Sequence, residues 1–402
     1  MKTTGIICEY NPFHTGHAHQ INEIKKKGDA IVCLMSGHIT ERGEFAIADK
    51  YTRAACAIRG GADLVLELPF PYCSSSAEFF AKGGVYIANA LGIVDYLVFG
   101  SECGNIRELS DIASIMLSSE YQLYLDSLKN SPDYRDAGYP ELCEKALSDI
   151  YGKEFSRDFF SPNNILGIEY IKALKSLHSD IEALTIRREG AGYLDIIKPM
   201  AEFQSASAIR EEIACKNLSA LDFVPQNAKN IYIKAIDEGK MPSDISRLDL
   251  ALISFFRLNS PKADLDIHDA TGGLYNRLCE MSAEATSISN LTKRTETKKY
   301  TTARIRRAIW NSYFGVTSSD IRSMPSYTQV LAMDSTGRAA LKRIKKVTDF
   351  PVITKPSSYK DMDERVVKQK EMSNKADSVF ALTLKVANSG RFALTFTPYV
   401  KE

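Results

Sequence analysis

Residues 5–20 read GIICEYNPFHTGHAHQ. Gly5 to Cys8 is short, apolar and β-branched, the signature of a buried parallel strand. Asn11-Pro12 is a turn dipeptide that ends it. The stretch from His17 to Lys27 is rich in helix formers and closes at Gly28, a helix-stopping residue. His14 and His17 therefore stand where a strand hands over to a helix N-terminus, whose free N–H groups and dipole favour an anion. Gly16 admits close backbone approach, and histidines three apart share a helical face. The pattern points to phosphate. The alternative is that a histidine here only caps the helix or faces solvent.

Further apolar runs occupy 30–35, 63–68 and 95–99, separated by helix-length segments such as 49–59 and 77–91. This alternation predicts an α/β fold, a Rossmann-like parallel sheet with helices on both faces. Ligands of such sheets gather at the carboxyl ends of the strands. There lie Asn11-Pro12-Phe13-His14, Ser36-Gly37-His38 and Gly100-Ser101-Glu102. Residues 111–156 are more polar and read as a helical insertion packed on the sheet. From about 218, amphipathic patterns such as 245–256 and 273–285 predict a mainly helical region. After 327, strand-like runs at 330–333, 350–354 and 391–396 mix with basic helices. The expected organisation is a nucleotide-binding catalytic domain over 1–217, a helical domain over 218–326 and an α+β segment over 327–402.

The 402 residues are 44% apolar and 25% charged, ordinary for a globular protein, and the net charge of +1 requires any nucleic-acid surface to be local. No apolar stretch has membrane-spanning length, and the chain runs directly into its first strand without a secretory leader. The eight cysteines (8, 33, 56, 73, 103, 143, 215, 279) form no C-x-x-C pair. That argues against zinc and fits reduced thiols in a cytoplasmic protein.

Several other stretches carry chemistry. Met35-Ser-Gly-His-Ile-Thr-Glu-Arg-Gly-Glu44 is a glycine-bearing loop after the second strand, and Asp49-Lys50-Tyr51-Thr52-Arg53 opens the next helix. Ser161-Pro-Asn-Asn-Ile-Leu-Gly167 sets two carboxamides before an apolar helix, where Asn163 or Asn164 either caps that helix or serves a ligand. Arg187-Arg188-Glu-Gly-Ala-Gly-Tyr193 pairs guanidinium groups with a glycine-bearing loop suited to phosphate. Ser205-Ala-Ser207-Ala-Ile209-Arg210 opens a helix whose hydroxyls and N-terminus would receive β- and γ-phosphates, with Arg210 one turn on.

Strand, turn, H-x-G-H and helix together resemble the nucleotidylyltransferase superfamily, in which the motif binds ATP at the α-phosphate. In order, EYNPFHTGH, MSGH…RGE, DKYTR, ADLVLELP, FGSE, PNNILGIEY, GAGY and SASAIR resemble the bacterial tRNA(Met) cytidine acetate ligases, as does the later TKKYTTARIRR stretch ending at Arg307. The resemblance implies activation of acetate by ATP to acetyl-adenylate, with release of pyrophosphate. Transfer of the acetyl group to N4 of the wobble cytidine of elongator tRNA(Met) would follow. Carried over residue by residue, it places ATP contacts on Ile7, Cys8, Glu9, Tyr10, Asn11, Pro12, Phe13, His14, Thr15, Gly16, His17, Ala18, His19 and Gln20. Gly100, Asn163 or Asn164, and Arg188 complete that set, beside the Ser205, Ser207 and Arg210 read above. His14 and His17 are the expected catalytic donors, and Mg²⁺ is expected with ATP, though no dedicated carboxylate cage is visible for it. Glu41 stands where the family pattern has glutamine, Phe45 where it has proline, and Leu194 where a histidine follows Tyr193.

Residues 291–310 hold seven Lys or Arg against one Glu, with Tyr300 and Trp310 interleaved. Lys293, Arg294, Lys298, Lys299, Arg304, Arg306 and Arg307 are thus candidates for tRNA phosphates, with the aromatics stacking on bases and a second basic run at 338–346 widening the surface. The alternatives are a solvated helix paired with acidic neighbours, or arginines that brace two domains. Two other functions stay open. One is a nucleotidylyltransferase that adenylylates a small phosphorylated metabolite and needs no basic half. The other is a non-catalytic nucleotide- or RNA-binding relative, against which the intact His14, His17, Ser207 and Arg210 speak.

Overall fold

The computed structural model describes residues 2–134, 137–152, 160–188, 204–261 and 266–401. Its first part alternates β1 (Thr3–Cys8), α1 (Thr15–Lys25), β2 (Ala30–Ser36), α2 (Lys50–Arg59), β3 (Leu64–Leu68), α3 (Ala77–Ala90) and β4 (Tyr96–Ser101). Helices α4 (Ile106–Leu117), α5 (Ser119–Asn130) and α6 (Tyr139–Tyr151) precede α7 (Pro162–Ser176), β5 (Glu182–Arg187) and α8 (Ala206–Ala214). The helical stretch comprises α9 (Gln226–Asp237), α10 (Asp249–Leu258), α11 (Leu274–Ser282), α12 (Ile288–Thr295), α13 (Thr302–Phe314) and α14 (Ser318–Arg322). The chain closes with β6 (Thr328–Met333), α15 (Ser335–Val347), β7 (Val352–Ile353), α16 (Glu364–Phe380), α17 (Phe392–Thr395) and β8 (Tyr399–Val400). No described helix is long and apolar enough to cross a membrane.

Strands β1 to β5 are parallel, in the order β5-β4-β1-β2-β3. Every residue of β2 and β3 is buried, which is why these runs are continuously apolar. Alternation along the strands feeds two cores. Ile7, Val32, Leu34 and Leu66 pack with α3, α4 and α7, whereas Ile6, Ile31, Cys33 and Val65 pack with α1, α2 and α9.

The structure departs from the sequence reading in three places. The C-terminal part does not stand apart, because β6 joins the sheet antiparallel to β3 and carries β7 and β8 beside it. Helix α9 leaves the other helices and packs on α2, burying Ala228 and Tyr232 in the second core. Residues 391–396 contain the short helix α17 rather than a strand. Tyr51 there donates to the Ala393 carbonyl at 2.8 Å and stacks on Phe396 at 3.6 Å, contacts that a strand-forming composition does not reveal.

One buried ion network ties these layers together. Lys50, in the first turn of α2, donates to Glu67 on β3 at 2.6 Å and to Asp377 on α16 at 2.7 Å. Asp377 also bonds His38 Nδ1 at 2.6 Å. Burial opposes the Lys50 ammonium, yet Asp377 and Glu67 hold it charged, well above its usual range. Burial likewise works against the Asp377 carboxylate, and Lys50 and His38 more than reverse that, holding it low. Removing one partner of a buried pair leaves the other charge uncompensated. Asp377→Ala is therefore expected to lower unfolding free energy by about 3–5 kcal/mol, read from the midpoint of urea denaturation at unchanged slope.

Candidate active site

The chain leaves β1 through Glu9 and Tyr10, and Tyr10 takes a left-handed backbone (φ 47°) that turns it toward α1. The helix starts at Thr15, two residues before the sequence reading, because His14 is its N-cap. His14 Nδ1 accepts the Gly16 N–H at 3.1 Å, and His17 Nδ1 accepts the His14 N–H at 3.3 Å. A neutral imidazole whose Nδ1 accepts must carry its proton on Nε2. The capping reading of the histidines therefore holds: each serves the helix start with Nδ1 and keeps its proton on Nε2. Their rings lie 3.8 Å apart. Burial and then the Arg188 charge push His14 down to about 3. Burial, His14 and Arg188 hold His17 well below its usual value.

His17 is seated against Tyr10 at 4.9 Å and Phe13 at 5.8 Å. The Phe13 N–H donates to Tyr232 Oη at 2.8 Å, so α9 pins the motif from 219 residues away. Within this run Ile7, Tyr10, Asn11, Pro12 and Phe13 are buried, Cys8, Glu9, Thr15, Gly16, Ala18 and Gln20 are half-buried, and His19 is exposed. Asn11 Oδ1 accepts the Ile47 N–H at 2.8 Å, locking the turn to the loop after β2.

A second wall comes from β4, β5 and α7. Glu102 accepts from Asn163 Nδ2 at 2.6 Å and from the Asn164 N–H at 2.9 Å, while Asn164 Oδ1 accepts the N–H groups of Glu102 and Cys103 at 3.0 and 3.2 Å. The buried Asn164 therefore fastens the β4 loop to α7 and does not cap its own helix. Asn163 Oδ1 accepts from Arg188 at 3.1 Å, and the missing side chain of Gly100 leaves room for Arg188, whose Cγ would lie 3.1 Å from a Cβ there.

The start of α8 supplies the third element. Ser205 caps it by accepting the Ala208 N–H at 3.2 Å, and its hydroxyl lies 3.1 Å from that of Ser207. Arg210 donates to the Asn11 carbonyl at 2.8 Å and meets Glu44 at 3.3 Å. The structure thus gathers His14, His17, Asn163 and Arg188 and, through Asn11, Arg210. Tyr232, Glu102 and Glu44, which the sequence reading missed, hold this assembly. Only the FGSE and RGE motifs signalled the two glutamates, and nothing local signalled Tyr232. Residues 190–193 of the glycine loop, and Leu194, lie outside the described residues.

Two motifs turn inward. His38 is buried on Asp377, and Arg53 is fully buried, donating to the carbonyls of Glu9, Ser36, Gly37 and Ala48 and so clamping the ends of β1 and β2.

In the basic stretch, Lys293, Arg294, Lys298 and Lys299 are exposed, whereas Arg304 and Arg306 are half-buried. Arg307 is buried and spends its donors on Asp269 at 2.8 Å and on the Glu41 carbonyl at 3.3 Å, so it is unavailable to a phosphate. Trp310 is buried and donates to the Gly43 carbonyl at 2.9 Å; Tyr300 is buried and bonds the Gly272 carbonyl. Neither ring is placed to stack on a base. The 338–346 run lies on α15 at the opposite end of the sheet, where Arg343 meets Thr3 at 3.2 Å. It does not widen the same surface.

A sequence model of the HIGH nucleotidyl transferases matches residues 1–392. The tRNA(Met) cytidine acetate ligase of Caldanaerobacter subterraneus subsp. tengcongensis is 38% identical over 370 residues, covering 90% of this chain and 91% of that protein. The enzyme of the same name from Acetivibrio thermocellus is 35% identical over 400 residues, 96% of each. The crystal structure of Thermotoga maritima TmcAL bound with alpha-thio ATP superposes with a TM-score of 0.90 at 30% identity, covering 100% of this chain and 99% of that one. The chain belongs to the tRNA(Met) cytidine acetate ligase family.

Glu41 is a carboxyl that burial pushes up to about 7 despite Arg307 nearby.

The depressed histidines set an expectation for this family member. Imidazoles that are neutral when folded, with His14 near 3, take up protons on unfolding below about 6.5. Stability is therefore full above about pH 6.5 and drains as pH falls toward 3. Urea midpoints measured across that window should decline, and the His14→Asn variant should decline less.

Proposed function

We propose that this protein is an ATP-dependent ligase that activates acetate as acetyl-adenylate and transfers the acetyl group to N4 of the wobble cytidine of elongator tRNA(Met), forming N4-acetylcytidine. The observation that carries the reading is the pair of Nε2–H donors that backbone capping fixes on His14 and His17, with Arg188 beside them. An acetate oxygen attacks the α-phosphorus in line, the bond to the bridging oxygen breaks, and pyrophosphate leaves. His14 and His17 donate to the α-phosphate oxygens, and Arg188 adds positive charge there. Ser205, Ser207, the start of α8 and Arg210 hold the pyrophosphate end. Preorganised donors of this kind need no reorganisation as charge builds. In the second step cytidine N4 attacks the acetyl carbonyl, AMP departs, and the nitrogen loses its proton. Magnesium enters as the substrate Mg·ATP, held by phosphates and water; among the described residues no group of three or more His, Cys, Asp or Glu side chains is arranged to hold a metal.

His14→Asn keeps an acceptor for the α1 cap and removes the Nε2 donor, so it separates chemistry from folding. It and His17→Ala should each slow acetate-dependent ATP–pyrophosphate exchange by about 100–1000-fold. Exchange near the wild-type rate in both would remove the histidines from the mechanism.

The RNA is held, in this reading, by the exposed Lys293, Arg294, Lys298 and Lys299 together with the outer sides of Arg304 and Arg306. Arg304 also lines, with Arg322 and Ser318, a cavity of about 260 Å³ beside α13. Lys293→Glu, Lys298→Glu and Lys299→Glu combined should leave pyrophosphate exchange intact and abolish acetyl transfer. The salt dependence of tRNA binding should flatten by roughly 0.7–0.9 log units per lost phosphate contact. Equal transfer by the triple variant and the wild type would move the RNA elsewhere.

A further inference from the structure

Helix α13 grips the loop between β2 and α2. Trp310 donates to the Gly43 carbonyl, and Gly43 sits at φ 71° with its Cβ direction only 2.7 Å from the Arg307 backbone nitrogen, an approach that only glycine allows. The next residue, Glu44, is fixed through its main chain, since its carbonyl accepts Thr40 N–H at 2.9 Å and Thr40 Oγ1 at 3.0 Å. Its carboxylate has two cationic partners from different parts of the chain. Oε1 is taken by Arg306 on α13, and Oε2 meets Arg210 on α8 at 3.3 Å. The three side chains are 37% (Arg306), 27% (Glu44) and 21% (Arg210) exposed, so solutes reach both arginines.

A charge-assisted N–H···O bond is about 2.7–2.9 Å long, and the Arg210 contact at 3.3 Å is stretched beyond that. Arg210 is the partner that a phosphate removes more easily. When it does, the whole carboxylate falls to Arg306.

We propose that Glu44 is a positioning residue that shares one negative charge between Arg210 and Arg306, so that polyphosphate on Arg210 and an RNA phosphate on Arg306 oppose each other. Polyphosphate on Arg210 leaves Glu44 to Arg306 and keeps that guanidinium from RNA. An RNA phosphate on Arg306 returns Glu44 to Arg210, draws Arg210 off pyrophosphate and favours its departure before acetyl transfer. Linkage makes the two effects equal and reciprocal. The inference rests on reading Arg210 as the holder of the pyrophosphate end.

Calorimetric titration of ATP and of AMP into the full-length protein tests both layers. Arg210→Ala should weaken ATP and leave AMP unchanged; equal weakening of both overturns the reading of Arg210 itself. Glu44→Gln frees Arg210 from its competitor and should tighten ATP by about two- to five-fold, the scale of a partly exposed ion pair, with AMP unchanged. Arg306→Gln leaves Glu44 wholly to Arg210 and should weaken ATP by a similar factor, again sparing AMP. In the Glu44→Gln background Arg306→Gln should have no effect, the non-additivity expected of coupled neighbours. Arg306→Lys keeps the charge and should restore near wild-type ATP binding if Arg306→Gln proves unstable. An Arg306 effect that persists without the Glu44 charge, equal changes in ATP and AMP affinity, or weaker ATP binding by Glu44→Gln overturns the proposal while leaving Arg210 in place.

Discussion

The ammonium of Lys50, buried between Glu67 and Asp377, is the constraint on which the rest of the molecule depends. It stands on α2 and its partners on β3 and α16, elements from opposite ends of the chain. An isolated charge at this depth is not tolerated, so the three elements can pack only together. Once they do, His38 is drawn onto Asp377 and the loop after β2 is committed to one path. That path carries Glu41, Gly43 and Glu44 to α13 and presents the Ile47 N–H to Asn11. Charge burial beneath the loop thus decides where the turn after β1 is anchored.

At the cleft, economy of donors replaces burial of charge. Capping ordinarily falls to Ser, Thr, Asp or Asn, which satisfy the helix and have little left to offer a ligand. Histidine has two ring nitrogens 1,3 to each other, so one serves the helix while the other serves the outside. The same backbone bonds fix the tautomer, and burial beside Arg188 keeps the ring neutral. Positive charge is delivered separately, by arginines on β5's exit and on α8.

The sequence revealed what is local and periodic. The strands β1 to β4 and the helices after β1, β2 and β3 follow from apolar runs and spacing, as does the clustering of odd residues at strand ends. The site's supports were not legible, because they join distant positions. Tyr232 is an ordinary aromatic on an amphipathic helix, and its bond to Phe13 exists only once α9 crosses α2. Basic composition at 291–310 was visible; that Arg307 and Trp310 face inward was not, because their partners Asp269 and Gly43 lie 38 and 267 residues away. Asn164 shows the same limit. Its position before α7 suggested a cap, and its carboxamide instead serves the loop after β4. The short helix α17 took the place of a strand for a related reason, since stacking on Tyr51 outweighs the local preference of 391–396.

The antiparallel strand β6 gives the order of synthesis a physical meaning. Thr328 bonds the Glu67 carbonyl across 261 residues of chain. Until those residues are made, β3 is an open edge whose unpaired N–H and C=O groups invite other chains. At about 5–20 residues per second, the edge waits some 10 to 50 seconds on the ribosome. Lys50 waits longer still, since Asp377 follows it by 327 residues. The parallel core can collapse early around β1 and β2, but it does not close until the C-terminus arrives. The parallel part of the sheet is accordingly a dependent of β6, and a chain shortened before Thr328 would lack the strand that covers β3.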